Sequence, residues 1–118
     1  MGTWGPGVYE NDMALDWVGD LVASVTEAIE KDIDEFDESN GDQLLAAIDT
    51  IRLLCEHGRG VPPKPADISR WGREYVRGWQ AYIVNLDPKP GFIDARREVI
   101  DRVLERLSEL AEAFWKRP

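Results

Sequence analysis

Apolar side chains recur at three- and four-residue spacing along most of this chain, and that period is what most constrains its fold. The pattern is clearest after Asn11, where an asparagine suited to cap a helix precedes Asp12 in the first turn. No segment shows the two-residue alternation of a β-strand, so we expect an all-α protein. The apolar positions of the first helix are Ala14, Leu15, Val18, Leu21, Val22, Val25, Ala28 and Ile29.

Three further helices are predicted between helix-breaking segments. The acidic cluster 37–42 ends the first helix, Gly58 is a natural residue for the end of the second, and the proline-containing segment 86–91 stops the third. The later helices therefore carry their apolar faces over 44–55, from about 67 to 85 and from about 92 to 115, with a Pro-rich connection at 58–66.

Helices joined by short connections favour one domain over residues 1–118, a four-helix antiparallel bundle. Residues 1–10 are rich in glycine and proline and are expected to form an extended N-terminal segment. The fourth helix would be about 36 Å long at 1.5 Å per residue. We expect it to pair with the first helix, with the two shorter helices lying against that pair.

The single cysteine, Cys55, and the single histidine, His57, restrict the chemistry that this chain can perform. One cysteine allows neither an internal disulfide nor a thiolate metal cluster. Residues two apart on a helix point in nearly opposite directions, so the two cannot form a nucleophile–base pair. The carboxylates follow neither a catalytic pattern nor a calcium-loop spacing. We therefore expect no enzyme activity, no metal and no cofactor.

The net charge is −9, which argues against nucleic acid or an anionic membrane as a partner. The charge is also uneven, since residues 1–60 carry −11 and residues 61–118 carry +2. No apolar run approaches the ~20 residues of a membrane span, and the start does not have the pattern of a signal peptide. We expect a cytoplasmic protein.

An acidic run at residues 27–42 holds eight carboxylates and one base, Lys31. We expect it on the last turns of the first helix, where the helix dipole disfavours negative charge by ~0.3–1 kcal/mol per group. Four roles stay open: solubility, contact with a basic protein, binding of a divalent cation, or internal pairing with Arg70, Arg73 and Arg77. The candidate partner-binding residues are Asp32, Asp34, Glu35, Asp37, Glu38 and Asp42.

Two groups of aromatic side chains could line a ligand pocket. One lies in the glycine-rich N-terminal segment, where it could equally plug the end of the bundle. The other lies on the inner face of the third helix beside Gly72 and Gly78, each unfavourable by ~1 kcal/mol relative to alanine in a helix interior. Those rings could equally belong to the core. The candidate pocket residues are Trp4, Tyr9, Trp71, Tyr75 and Trp79.

The opening residues 4–12 read Trp-Gly-Pro-Gly-Val-Tyr-Glu-Asn-Asp, and Ala14 follows. This opening resembles the start of a bacterial domain-of-unknown-function family, number 4259, whose members begin Trp-Gly-x-Gly-x-aromatic-x-Asn-Asp-x-Ala. Tyr9 stands at the aromatic position, often Phe, and Met13 stands where a polar residue is frequent. The resemblance implies a bacterial helical protein and carries over no catalytic residue.

Small size, helical build and concentrated acidic charge together favour a protein-binding module, in the manner of immunity or inhibitor proteins, that engages a basic protein. The alternative is a small-molecule or metal-binding domain that uses the aromatic helix 68–86 or the acidic run 27–42. A third possibility is a bundle that self-associates through an apolar stripe on the fourth helix. We expect a monomer or a homodimer.

Overall fold

The computed structural model describes residues 5–116, which form four α-helices and no strand. The expected all-α bundle is thereby confirmed. The helices are α1 (Asp12–Asp32), α2 (Gly41–Glu56), α3 (Pro65–Ile83) and α4 (Phe92–Trp115), and α3 continues into a 3₁₀ turn, Val84–Leu86. None of the described helices is both long enough and apolar enough to cross a membrane.

The helix boundaries follow from local chemistry. Asn11 caps α1 as expected, because its Oδ1 accepts a hydrogen bond from the backbone N–H of Ala14 at 2.8 Å. α3 begins at Pro65, earlier than the expected Asp67, since the fixed φ of proline suits the first position of a helix. Beyond the 3₁₀ turn, Asp87 adopts a left-handed backbone with φ 51°, which ends the helical path.

α4 packs against both α2 and α3, whereas α1 packs against α2. The expected pairing of the first and fourth helices is therefore wrong. α1 and its C-cap add two fully buried residues to the main core. They are Ile29 and the cap residue Ile33, and both lie at the C-terminal end of the helix. Apolar periodicity shows which face of a helix is buried, but it does not show which helix covers that face.

The core draws on all four helices and is built from branched aliphatic and aromatic side chains. Burial of this apolar surface is the main term that holds the helices together. Its buried members are Ile29, Ile33, Leu44, Leu45, Ile48, Ile51, Ile68, Trp71, Tyr75, Trp79, Ile83, Ile100, Leu104, Leu107 and Ala111.

Candidate functional site

The turn between α1 and α2 carries most of the acidic run, and two apolar side chains hold it against the core. Ile33 is fully buried, and Phe36 is half-buried and stacks on Tyr75 with ring centroids 5.1 Å apart. Gly78 makes room for Phe36, since a Cβ on Gly78 would lie 2.5 Å from its Cε1 atom. With these side chains turned inward, the carboxylates of the turn are left at the surface.

Part of the acidic run pairs with arginines inside the molecule. Arg70 of α3 forms ion pairs with Glu30 and with Asp34, the latter at 3.0 Å. The indole N–H of Trp71 donates to Glu30 at 2.8 Å, and Arg77 donates to the backbone carbonyl of Asp34 at 2.8 Å. The internal pairing considered for Arg70 and Arg77 therefore occurs, whereas Arg73 is exposed and has no ion pair with a described residue.

Two further carboxylates of the run lie at or just before the start of α2, and each has a partner. Asp42 pairs with Arg96 of α4 at 3.0 Å. Asp37 accepts hydrogen bonds from the hydroxyl of Ser39 at 2.6 Å and from its backbone N–H at 2.9 Å. These hydrogen bonds lower the pKa of the Asp37 carboxyl below its usual value, because they stabilise the charged form.

The expected position of the run at the end of the first helix is only partly correct. Glu27, Glu30 and Asp32 do lie in the last turns of α1, where the dipole disfavours them. Asp37 and Glu38, however, precede the N-terminus of α2, where negative charge is favoured. The helix dipole therefore disfavours only the carboxylates that lie in α1. The charges of Asp37 and Glu38 are instead favoured by the helix that follows them.

Several solvent-accessible carboxylates of the run form no ion pair within the part of the chain that the structure describes. No ion pair with a described residue involves Glu27, Asp32, Glu35, Asp37 or Glu38. The described residues also contain no group of histidine, cysteine or carboxylate side chains arranged to hold a metal ion. The structure therefore offers uncompensated negative charge at this surface rather than a preformed cation site.

A cleft of about 270 Å³ opens directly beside the acidic run. The aromatic and aliphatic part of its wall includes Trp79, Tyr82, Leu86 and Phe92. Its charged lining includes Glu38 and Asp42 from the run, together with Lys89 and with Arg96, the ion-pair partner of Asp42. Leu86 and Phe92 are 48% and 43% exposed, so a partner could reach both side chains.

The three candidate pocket residues of α3 do not meet in a pocket. Trp71 and Tyr75 have no exposed surface and Trp79 is 2% exposed, so these rings belong to the core, and only Trp79 reaches the cleft. The Tyr75 hydroxyl donates to the carbonyl of Gly41 at 2.9 Å, and burial raises the pKa of this phenol.

Tyr9, the N-terminal aromatic candidate that the structure describes, is separate from the cleft. Tyr9 lies against Arg59, whose guanidinium carbon is 4.2 Å from the ring centroid, beyond the C-terminal end of α2. The cleft adjoins the opposite end of α2, near Asp42. Trp4 lies outside the described residues.

Sequence reasoning included Tyr82 and Leu86 only as part of the aromatic helix 68–86, and it did not name Phe92 or Arg96 as site residues. The apolar pattern of the third helix did not show that the 3₁₀ turn Val84–Leu86 leaves the Leu86 side chain exposed. The sequence feature that points to this cleft is the Asp87-Pro88 pair. It ends the third helix close to Phe92, the aromatic residue that begins the fourth helix.

Fold and site together define a small all-α bundle with an acidic turn beside an apolar cleft. The sequence profile of the domain of unknown function DUF4259 matches residues 2–117. The chain therefore belongs to that family, as its opening residues suggested. No curated protein and no solved structure matches the chain significantly.

Proposed function

We propose that this protein is a protein-binding module, in the manner of immunity or inhibitor proteins, that engages a basic partner through its acidic run. The observation that carries the proposal is that the cleft of Trp79, Tyr82, Leu86 and Phe92 opens beside Glu38 of the run. Tight interfaces usually combine a few apolar anchors with a polar rim. An acidic surface with an apolar recess offers both.

The carboxylates of the run would contribute unequally. Asp34 and Asp42 already have arginine partners, so a basic protein would have to compete for them. Glu35, Asp37 and Glu38 are exposed and Asp32 is partly exposed, and all four are free of such pairs with described residues. Charges of this kind accelerate association and select the partner more than they add affinity.

We propose binding in the cytoplasm rather than catalysis. Burial raises the pKa of the Cys55 thiol, which disfavours the reactive thiolate. A single cysteine without a disulfide is also compatible with a reducing compartment. The net charge of −9 favours a basic protein as the partner over nucleic acid.

The test is a pull-down at low salt, followed by affinity measurement with the captured protein. The test variant neutralises the unpaired part of the run with Asp32→Asn, Glu35→Gln, Asp37→Asn and Glu38→Gln. The control variant makes the same change in net charge on α4, where the substituted residues are exposed and have no ion pair with a described residue. Its substitutions are Asp94→Asn, Glu98→Gln, Glu105→Gln and Glu112→Gln.

A basic protein that is retained by wild type and by the control, but lost from the test variant, supports the proposal. Equal loss from both variants means that overall charge alone retains the protein. Equal retention by both means that the run is a solubility feature. Either of the last two results contradicts the proposed interface.

A second candidate function uses the same cleft for a small apolar molecule with an acidic group. A volume of about 270 Å³ is near the lower end for ligand pockets, and Lys89 is among the lining residues that could meet an acidic group. Titration with aromatic carboxylates should then give saturable NMR shifts of the Trp79 indole that Phe92→Ala abolishes. Shifts that rise linearly with ligand concentration, without saturation, would contradict this second function.

A further inference from the structure

The outward face of α1 carries an apolar stripe that the rest of the bundle leaves uncovered. Met13, Trp17 and Leu21 follow one another at four-residue spacing, and their exposed fractions are 84%, 66% and 36%. At 1.5 Å per residue the stripe runs for roughly 12 Å along the helix. Tryptophan and methionine are among the residues enriched in protein interfaces, and an indole this exposed has no role in the core.

Two small residues continue the line of the stripe toward the end of α1. Ser24 and Ala28 are exposed and follow Leu21 at three- and four-residue steps on the same side of the helix, so no bulky side chain obstructs that side. The inward side of α1 is a different one, since Val18, Val22 and Ile29 are buried. The first half of α1 is therefore apolar on two sides, and only one of them is used by the fold.

Acidic residues border the stripe along its outer edge. Asp16, Asp20 and Glu27 are exposed, and none of them forms an ion pair with a described residue. Helical geometry places each beside the stripe on the side away from the core. An apolar surface bordered by uncompensated carboxylates is complementary to an apolar surface bordered by lysine or arginine.

We infer that this stripe, Met13–Trp17–Leu21 with its border of Asp16, Asp20 and Glu27, docks a basic amphipathic helix of a partner protein. A straight stripe at four-residue spacing matches the face that a second helix presents. Large apolar side chains of the partner would cover the indole of Trp17. Its cations would meet the acidic border.

A second copy of this chain fits the stripe less well. Two antiparallel copies related by a two-fold axis would bring the same border against itself, carboxylate to carboxylate. Each copy also carries a net charge of −9, so the two molecules repel one another. Charge complementarity therefore favours a basic helix over self-association.

The experiment uses synthetic peptides as probes for the full chain. One peptide is an amphipathic helix with leucines along one face and lysines on its flanks, and a second has the same composition in scrambled order. Calorimetry compares wild type with the double variant Met13→Gln, Trp17→Gln and with the control Leu53→Gln. Leu53 suits the control because it is 46% exposed on α2, and because glutamine and leucine have similar helix propensities.

The ordered peptide should bind wild type and the control alike, and the double variant should lose about tenfold or more in affinity. Asp16→Asn with Asp20→Asn should weaken binding and flatten its dependence on salt. Binding no tighter than that of the scrambled peptide, or binding that the double variant leaves unchanged, would overturn the inference. A wild-type dimer in sedimentation that Trp17→Gln dissociates would also overturn it, in favour of self-association.

The same measurement separates this inference from the proposed function. The variant with residues 32, 35, 37 and 38 neutralised should bind the ordered peptide nearly as well as wild type, because those residues lie outside the stripe. If that variant lost the peptide while the stripe variants kept it, the stripe would be rejected and the acidic run would stand.

Discussion

Two glycines of α3 look alike in the sequence, yet they play different parts in the structure. Each stands beside a tryptophan in the helix interior, where glycine is unfavourable. A Cβ at Gly72 would meet its nearest neighbour, a methyl carbon of Leu104, at 3.6 Å, which is an ordinary contact. A Cβ at Gly78 would lie 2.5 Å from the ring of Phe36. Only Gly78 is required by packing.

We expect Gly78→Ala to destabilise the fold by about 1–3 kcal/mol, the typical cost of overpacking a core. Gly72→Ala is the matched control and should stabilise the fold by up to ~1 kcal/mol, through helix propensity alone. Urea unfolding followed by circular dichroism measures both. Equal effects of the two substitutions would mean that Phe36 does not depend on the gap at Gly78.

At the scale of the element, we expect Asn11→Ala to cost about 1 kcal/mol, because it removes the side-chain acceptor for the first turn of α1. Asn11→Asp keeps an acceptor at the cap and should retain most of the stability. Hydrogen exchange at the Ala14 amide gives the local readout, and faster exchange should appear only in the alanine variant. An unchanged Ala14 amide in that variant would show that the cap does not hold this turn.

Helix positions could be predicted from the sequence because breakers and caps act over a few neighbouring residues, as at Asn11 and Asp87. Helix partners could not, since apolar period is a property of one helix alone. The N-terminal half of α1 shows this well. Its predicted apolar positions include both Val18, which is buried, and Leu21, which is 36% exposed, and only the packing of the other helices separates them.

The candidate site was predictable in part for the same reason. Carboxylates at 27–42 are visible as composition, whereas their arginine partners depend on which helices meet. Predicting the cleft would require knowledge of the chain path after Ile83, where a 3₁₀ turn leaves Leu86 exposed. No periodic pattern encodes that turn.

Across the whole molecule, ion pairs join helices that are distant in sequence. Arg70 links α3 to the end of α1, Arg96 links α4 to the start of α2, and Arg106 links α4 to Glu56 at the end of α2. The bases of the second half of the chain thereby offset part of the excess acid of the first half. The uneven charge along the sequence is in this way reduced by the fold.

The pairing of Glu56 makes the stability of the bundle depend on pH in a definable direction. The hydrogen bonds and charge of Arg106 lower the pKa of the Glu56 carboxyl below its ordinary 4.5. A carboxyl whose pKa is lower in the folded state binds fewer protons there than in the unfolded state. Its contribution is therefore present above pH 4.5 and is lost as the pH falls through the lowered value. Glu56→Gln should consequently lower the Tm at pH 7 and approach wild type at acidic pH.

The control for this change is Glu98→Gln, which removes the same charge from an exposed residue of α4 that has no ion pair with a described residue. Because the net charge is −9, losing one carboxylate there should slightly relieve repulsion and leave the Tm at pH 7 equal or higher. Thermal unfolding of the three proteins between pH 7 and pH 3 measures the difference. If Glu56→Gln and Glu98→Gln followed the same curve, the link between α2 and α4 through Arg106 would contribute nothing to stability. A Tm of Glu56→Gln that is lower than that of wild type at neutral pH, with the difference disappearing at acidic pH, would show that the Glu56–Arg106 pair helps to hold α4 against α2.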